Sequence, residues 1–126
     1  MKYLTFMRSS EKLNETPPPP ALMAAMGPFI EKSLKEGVLV DTGGLLPSKE
    51  GSIVHLRKGE LIVTDGPFTE TKEVIGGYAI LKADTKAGVM RAVREYLELY
   101  RKHWPEFEGE CEVRALYEEN AAPAHR

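Results

Sequence analysis

The sequence predicts an α+β fold: a mainly antiparallel sheet with helices on one face, in one domain whose order of elements is ferredoxin-like. Three observations carry this. Short windows near both ends alternate apolar and polar residues, and β-branched segments crowd the middle. Two longer segments repeat apolar residues at helical spacing. At 126 residues the chain can bury one continuous core but not two.

The first strand is predicted over residues 2–8, where Leu4 and Phe6 alternate with Tyr3, Thr5 and Met7. The following RSSEKLNETPPPP reads as loop, because prolines 17–20 form a stiff extended spacer of which only the last can open a helix. Leu22, Met26, Phe29, Ile30 and Leu34 then recur at helical spacing from Ala21 to Glu36, and Gly37 stands at the left-handed stop. Gly27-Pro28 inside that helix predicts a kink or a break, since proline removes one hydrogen bond and crowds the preceding turn.

Three strand segments follow, GVLVDTGGLLPS, SIVHLRKGELIVTDG and VIGGYAILKA. Within the second, Lys58-Gly59 predicts a tight turn between Ser52–Arg57 and Glu60–Thr64. Asp84-Thr85 supply a cap for a second long helix, with Val89, Met90, Val93, Leu97 and Tyr100 on its apolar stripe. A last strand runs from Glu110 to Tyr117, where Cys111, Val113, Ala115 and Tyr117 share one face. The domain spans 1–118, and 119–126 form a flexible tail. The order is β-α-β-β-β-α-β, a ferredoxin-like unit with an extra strand. Two helices cannot cover both faces of such a sheet, so a second copy packing about a two-fold axis is expected.

Composition narrows the function classes. Apolar residues at 42% and charged residues at 29% are ordinary for a globular domain, which argues against wholesale disorder. A net charge of −2, with basic and acidic residues interspersed, disfavours nucleic acid as a partner. The lone Cys111 cannot form an intrachain disulfide, and the histidines His55, His103 and His125 have no metal-site spacing, so no metal or cofactor is expected. No signal-peptide pattern or membrane-length apolar run is present, and a cytoplasmic location is expected.

One stretch asks for more than structure. VTDGPFTETKE breaks a strand with Asp65-Gly66-Pro67, a combination suited to a turn, and then presents Phe68, Glu70, Lys72 and Glu73 within a few positions. DGPFTETKE together with GGYAIL, Gly76 to Leu81, resembles the signature of the YCII-related proteins, in particular their DGPF-domain branch. The resemblance runs from MKYLTFM through GVLVDTGGLLPS to VRALYE, nearly the whole chain. It implies a dimeric α+β barrel with a ferredoxin-like protomer, and a role that is unassigned across most of the family. Some relatives neighbour alternative sigma factors, and others are proposed enzymes. The founding branch's suggested catalytic histidine belongs to the first helix; ALMAAMGPFIEKSLKEG has none, so that histidine and aspartate pair does not transfer.

The residues leave two classes of function open. In the first, the barrel interior is an apolar pocket for a small molecule, His55 or Asp65 moves a proton, and Arg57 orients the substrate, with Phe68, Glu70, Lys72, Glu73 and Tyr78 as further binding groups. In the second, a non-enzymatic homodimer binds an effector or a partner linked to transcriptional control. Each candidate also has a plain structural reading: Asp65 as a turn aspartate, Glu70, Lys72 and Glu73 as a solvated loop, His55 and Arg57 as an open-face polar pair, and Tyr78 as a packed strand tyrosine. Gly43-Gly44 and Gly76-Gly77 match no phosphate-binding pattern and read as sites of strand bending or close approach.

Overall fold

The structure, a computed structural model, describes residues 1–68 and 73–117. Among them the elements run β1 (Lys2–Ser9), α1 (Glu11–Glu15), α2 (Pro20–Lys35), β2 (Leu39–Gly44), β3 (Ser52–Arg57), β4 (Glu60–Asp65), β5 (Val74–Lys82), α3 (Lys86–His103) and β6 (Gly109–Ala115), with a 3-10 turn at Ser48–Glu50. Four strands make an antiparallel sheet in the order β2-β5-β1-β6. With α2 following β1 and α3 following β5, this is the ferredoxin-like order expected from the sequence.

The hairpin expected at Lys58-Gly59 is present, but it does not join the main sheet. β3 and β4 form a sheet of their own, joined through Lys58 and Gly59, both at positive φ as a tight hairpin turn requires. Among the described residues the hairpin makes no substantial contact with any other strand or helix, so it stands off the main sheet as an arm.

Two further expectations change. The segment read as loop after β1 contains α1, because the Ser10 side chain accepts from the Leu13 N–H at 3.2 Å and nucleates one short turn of helix before the prolines stop it. Of the kink or break expected at Gly27-Pro28, the break does not occur: α2 continues as helix through Pro28. Ala24, Gly27 and Pro28 are all exposed, which leaves water available to the Ala24 carbonyl that proline deprives of its partner. The stop at Gly37 is as expected. Its φ is +77°, and the Gly37 and Val38 N–H groups bond back to the Leu34 and Ser33 carbonyls, satisfying the frayed end of the helix.

α3 is capped by Thr85, whose side chain accepts from the Gly88 N–H at 3.1 Å. Its buried residues Val89 and Val93 meet Tyr3, Leu39 and Leu81 of the sheet to form the core, with Ile30, Leu97, Cys111 and Val113 packed around them. Complete burial of a side chain such as Val89 contributes about 1.5–3 kcal/mol. Alternation along β1 separates the two sheet faces: Tyr3, Thr5, Met7 and Ser9 are buried towards the helices, while Leu4, Phe6 and Arg8 lie on the outer face. No helix among the described residues is long and apolar enough to cross a membrane.

On that outer face Arg8 donates to Glu112 at 2.5 Å and stacks 5.5 Å from the Phe6 ring centre, and Glu112 also accepts from Arg114 at 3.1 Å. The Arg8 bond, and then the Arg114 bond, holds the Glu112 carboxyl below its ordinary range. A carboxyl held low in the folded state adds stability above its unfolded pKa, about 4.3, and loses it as pH falls through the lower folded value. Urea midpoints between about pH 6 and pH 3 should therefore fall less steeply in Glu112→Gln than in the wild type. Parallel pH profiles would remove the pair from the fold's energetics.

Candidate functional site

The ends of α2 and α3 do not close on the sheet. Between the helices and the inner face lies a cavity of about 410 Å³, within the range of small-molecule sites. Thr5, Met7 and Ser9 of β1, Ala79 of β5 and Cys111 of β6 line it from the sheet; Leu22, Met26 and Phe29 line it from α2; and Leu13 and Asn14 of α1 border it.

Its most distinctive wall is aromatic. Tyr96, Tyr100 and Trp104 recur every four residues along α3, which puts them on one side of the helix. The chain then turns back, with the Phe107 N–H bonded to the Trp104 carbonyl at 2.9 Å. This brings Phe107 to 4.8 Å from Tyr100 and 5.1 Å from Trp104, centre to centre. Tyr96 stands edge-on to Tyr100 at 5.2 Å, and Phe29 of α2 reaches Tyr96 at 6.4 Å. All five rings line the cavity.

Among the described residues the lining contains no carboxylate, imidazole, ammonium or guanidinium. Its ionisable groups are phenols and one thiol. Burial, reinforced by Tyr100, pushes the Tyr96 phenol far above its ordinary range, and burial likewise pushes the Cys111 thiol up. Both are neutral at physiological pH, so the described lining carries no charge there.

Of the site residues singled out in the sequence, Tyr78 lines this cavity and the other described ones lie elsewhere. His55 and Arg57 are on β3, on the hairpin side shared with Ile53, and His55 pairs with Ile62 across the arm. Neither lines this cavity. Asp65 is exposed at the base of the arm and accepts from the Ser52 hydroxyl at 2.6 Å, pinning the two strand ends together. The Tyr78 hydroxyl donates to Asp41 at 3.1 Å, and Gly43 opposite leaves room for its ring, which a Cβ there would meet at 2.9 Å. Asp41 holds the Tyr78 phenol in its neutral form by raising its pKa.

Phe68 and Glu73 come together in a second, more open hollow beside the arm, with Arg8, Glu50, Leu46 and Ile75. Glu70 and Lys72 lie outside the described residues. The DGPF segment is fastened from beneath: the Gly66 N–H donates to the Gly51 carbonyl at 2.8 Å and the Phe68 N–H to the Ser48 hydroxyl at 3.2 Å, while that hydroxyl donates to the Glu11 carboxylate of α1. The loop is thus tied to the helix that borders the cavity.

The apolar stripe read from the sequence includes Tyr100 but not Tyr96. The available signal is the four-residue spacing of Tyr96, Tyr100 and Trp104, which sets three aromatic residues on one side of the helix. Comparison with known families matches residues 1–100 to the YCII-related domain. Among curated proteins none matches the chain.

Proposed function

The chain belongs to the YCII-related family, and we propose that it binds a small, uncharged, largely apolar molecule in the cavity between its helices and its sheet. The observation carrying this is the absence of any charged group from the described lining of a 410 Å³ cavity walled by five aromatic rings. A site with no base or acid active near neutral pH is suited to binding, not to the proton transfer considered for His55 and Asp65. Those two residues occupy the arm and line neither this cavity nor the hollow beside the arm. The DGPF segment, Asp65 to Glu73, supports assignment to that branch of the family, and the lone, half-buried thiol of Cys111 suits a reducing cytoplasm.

A ligand that binds only the folded state stabilises it by mass action. Ethylnaphthalene at ten times its Kd should raise stability by about 1.4 kcal/mol, a Tm increase of about 5 °C. If neither it nor other neutral aromatic probes move the melting temperature, the cavity is not a binding site.

A separate observation favours a homodimer. On one side of the arm Val54, Leu56, Leu61 and Val63 form two directly opposed apolar pairs, 62%, 71%, 72% and 63% exposed. Such a face, on the order of a few hundred Å², is the size of patch that marks an interaction site. A second copy is the occupant that also covers the outer sheet face around Leu4, Phe6 and Ile80, where the expected barrel would close. The competing occupant is a partner protein of the transcription machinery, and a chain that sediments as a monomer at micromolar concentration would favour it.

A further inference from the structure

We infer that the cavity selects a neutral aromatic molecule bearing an acceptor oxygen, such as an aryl ketone, and that the Tyr96 and Tyr100 hydroxyl pair receives that oxygen. The inference rests on the cavity reading above and adds the chemical class of the ligand and the residues that choose it. It begins with an inventory of hydroxyl hydrogens. Thr5 donates to the Ala79 carbonyl at 3.0 Å, Ser33 to Phe29 at 2.8 Å, Thr42 to Tyr78 at 2.9 Å and Thr16 to Lys12 at 2.6 Å. Ser9 reaches the Ser10 carbonyl at 3.5 Å. These lining hydroxyls are committed to backbone.

The tyrosine pair is different. Its oxygens are 3.1 Å apart and share one hydrogen bond, in which either can be the donor. A phenol has one hydrogen, so the hydroxyl that accepts within the pair keeps its own O–H, and no partner for it exists among the described residues. That hydrogen is part-buried at the cavity wall, and a ligand oxygen placed there gives it a direct acceptor. Asn14 of the lining also has an amide nitrogen without a partner, but that atom has almost no accessible surface, whereas the phenol pair is only part-buried. The spare phenol hydrogen is therefore the donor that a ligand can meet. Burial keeps Tyr96 protonated across the physiological range, so the pair donates and does not act as a base.

The remaining walls decide the rest of the ligand. Tilted and edge-on rings from Phe29, Tyr96, Tyr100, Trp104 and Phe107 offer the contacts that a flat aromatic ring prefers. A carboxylate would enter a site with no cation to pair with it and would lose its hydration uncompensated. Size and apolarity admit the ring, the pair takes the oxygen, and charge is rejected.

Three probes of matched shape separate these terms: acetonaphthone, ethylnaphthalene and naphthoate, titrated calorimetrically into the wild type and into Tyr96→Phe/Tyr100→Phe. In the wild type acetonaphthone should bind about tenfold tighter than ethylnaphthalene, the worth of one buried hydrogen bond, and naphthoate should bind weakest. In the double variant acetonaphthone should fall to the ethylnaphthalene level while ethylnaphthalene itself is unchanged, which also shows that the variant is folded. Equal binding of the two neutral probes to the wild type, or an acetonaphthone preference that survives the double change, overturns the role of the pair and leaves the cavity reading standing. Preferential binding of naphthoate overturns the selection against charge. Failure of every probe to bind overturns the cavity reading as well.

Discussion

Gly66→Ala is expected to cost roughly 2–4 kcal/mol of stability, the range of a substitution that forces backbone apart. A Cβ at Gly66 would overlap the Ser48 carbonyl oxygen and carbon, which are main-chain atoms held in the 3-10 turn and cannot swing aside as a side-chain tip could. The cost spreads through the contacts that depend on this approach: the Gly66 bond to Gly51, the Phe68 bond to Ser48 and the Ser48 bond to Glu11. The comparison variant is Gly44→Ala, where a Cβ meets nothing within 4 Å. Its effect should stay within about 1 kcal/mol. Urea midpoints measure both. Equal losses in the two variants would mean that the DGPF glycine is not there for the Ser48 backbone.

Leu56→Asp/Leu61→Lys is expected to weaken self-association at least about a hundredfold, judged from the roughly 3–6 kcal/mol that full burial of two leucines contributes. The pair sits directly opposite across the arm, so the new charges face each other and preserve the hairpin while removing its apolar contact. Were the arm free in water, these exposed positions would tolerate the change with little consequence, within about 0.5 kcal/mol. Sedimentation equilibrium distinguishes the two cases. A wild-type dimer converted to a folded monomer supports the arm as the interface, and an unchanged association constant moves the interface elsewhere.

The parts of the fold legible in the sequence are those written by local chemistry. Gly37 reads as a stop because its conformation is costly for other residues, Lys58-Gly59 reads as a hairpin because two consecutive positive φ angles are needed, and Thr85 reads as a cap because its oxygen serves a free N–H. What stayed hidden depends on contacts between distant segments. β3 and β4 alternate in the same way whether they extend the main sheet or pair only with each other, so their separation into an arm leaves no trace in periodicity. α1 rests on one side-chain bond from Ser10, too little signal beside four prolines.

The candidate site divides along the same line. Asp65, Gly66 and Phe68 stand out by local pattern, and the structure gives each a contact: with Ser52, with the Ser48 backbone and with the Ser48 hydroxyl. The cavity draws instead on β1, β5, β6, α2 and α3, segments whose residues look individually like core. Val89 is fully buried against the sheet, whereas Val93, Tyr96 and Tyr100, one to three turns further along the same helix, border open space. Only the assembled layers show where packing stops and a binding space begins.

Methyl NMR of the folded protein, recorded with and without ethylnaphthalene, reports directly where a ligand goes. Resonances of Leu13, Leu22, Met26 and Ala92, all of which line the cavity, should shift together and saturably, while those of Val54 and Leu56 on the arm stay in place. Shifts confined to the arm, or none at all at saturating probe, would contradict the placement of the binding site between helices and sheet.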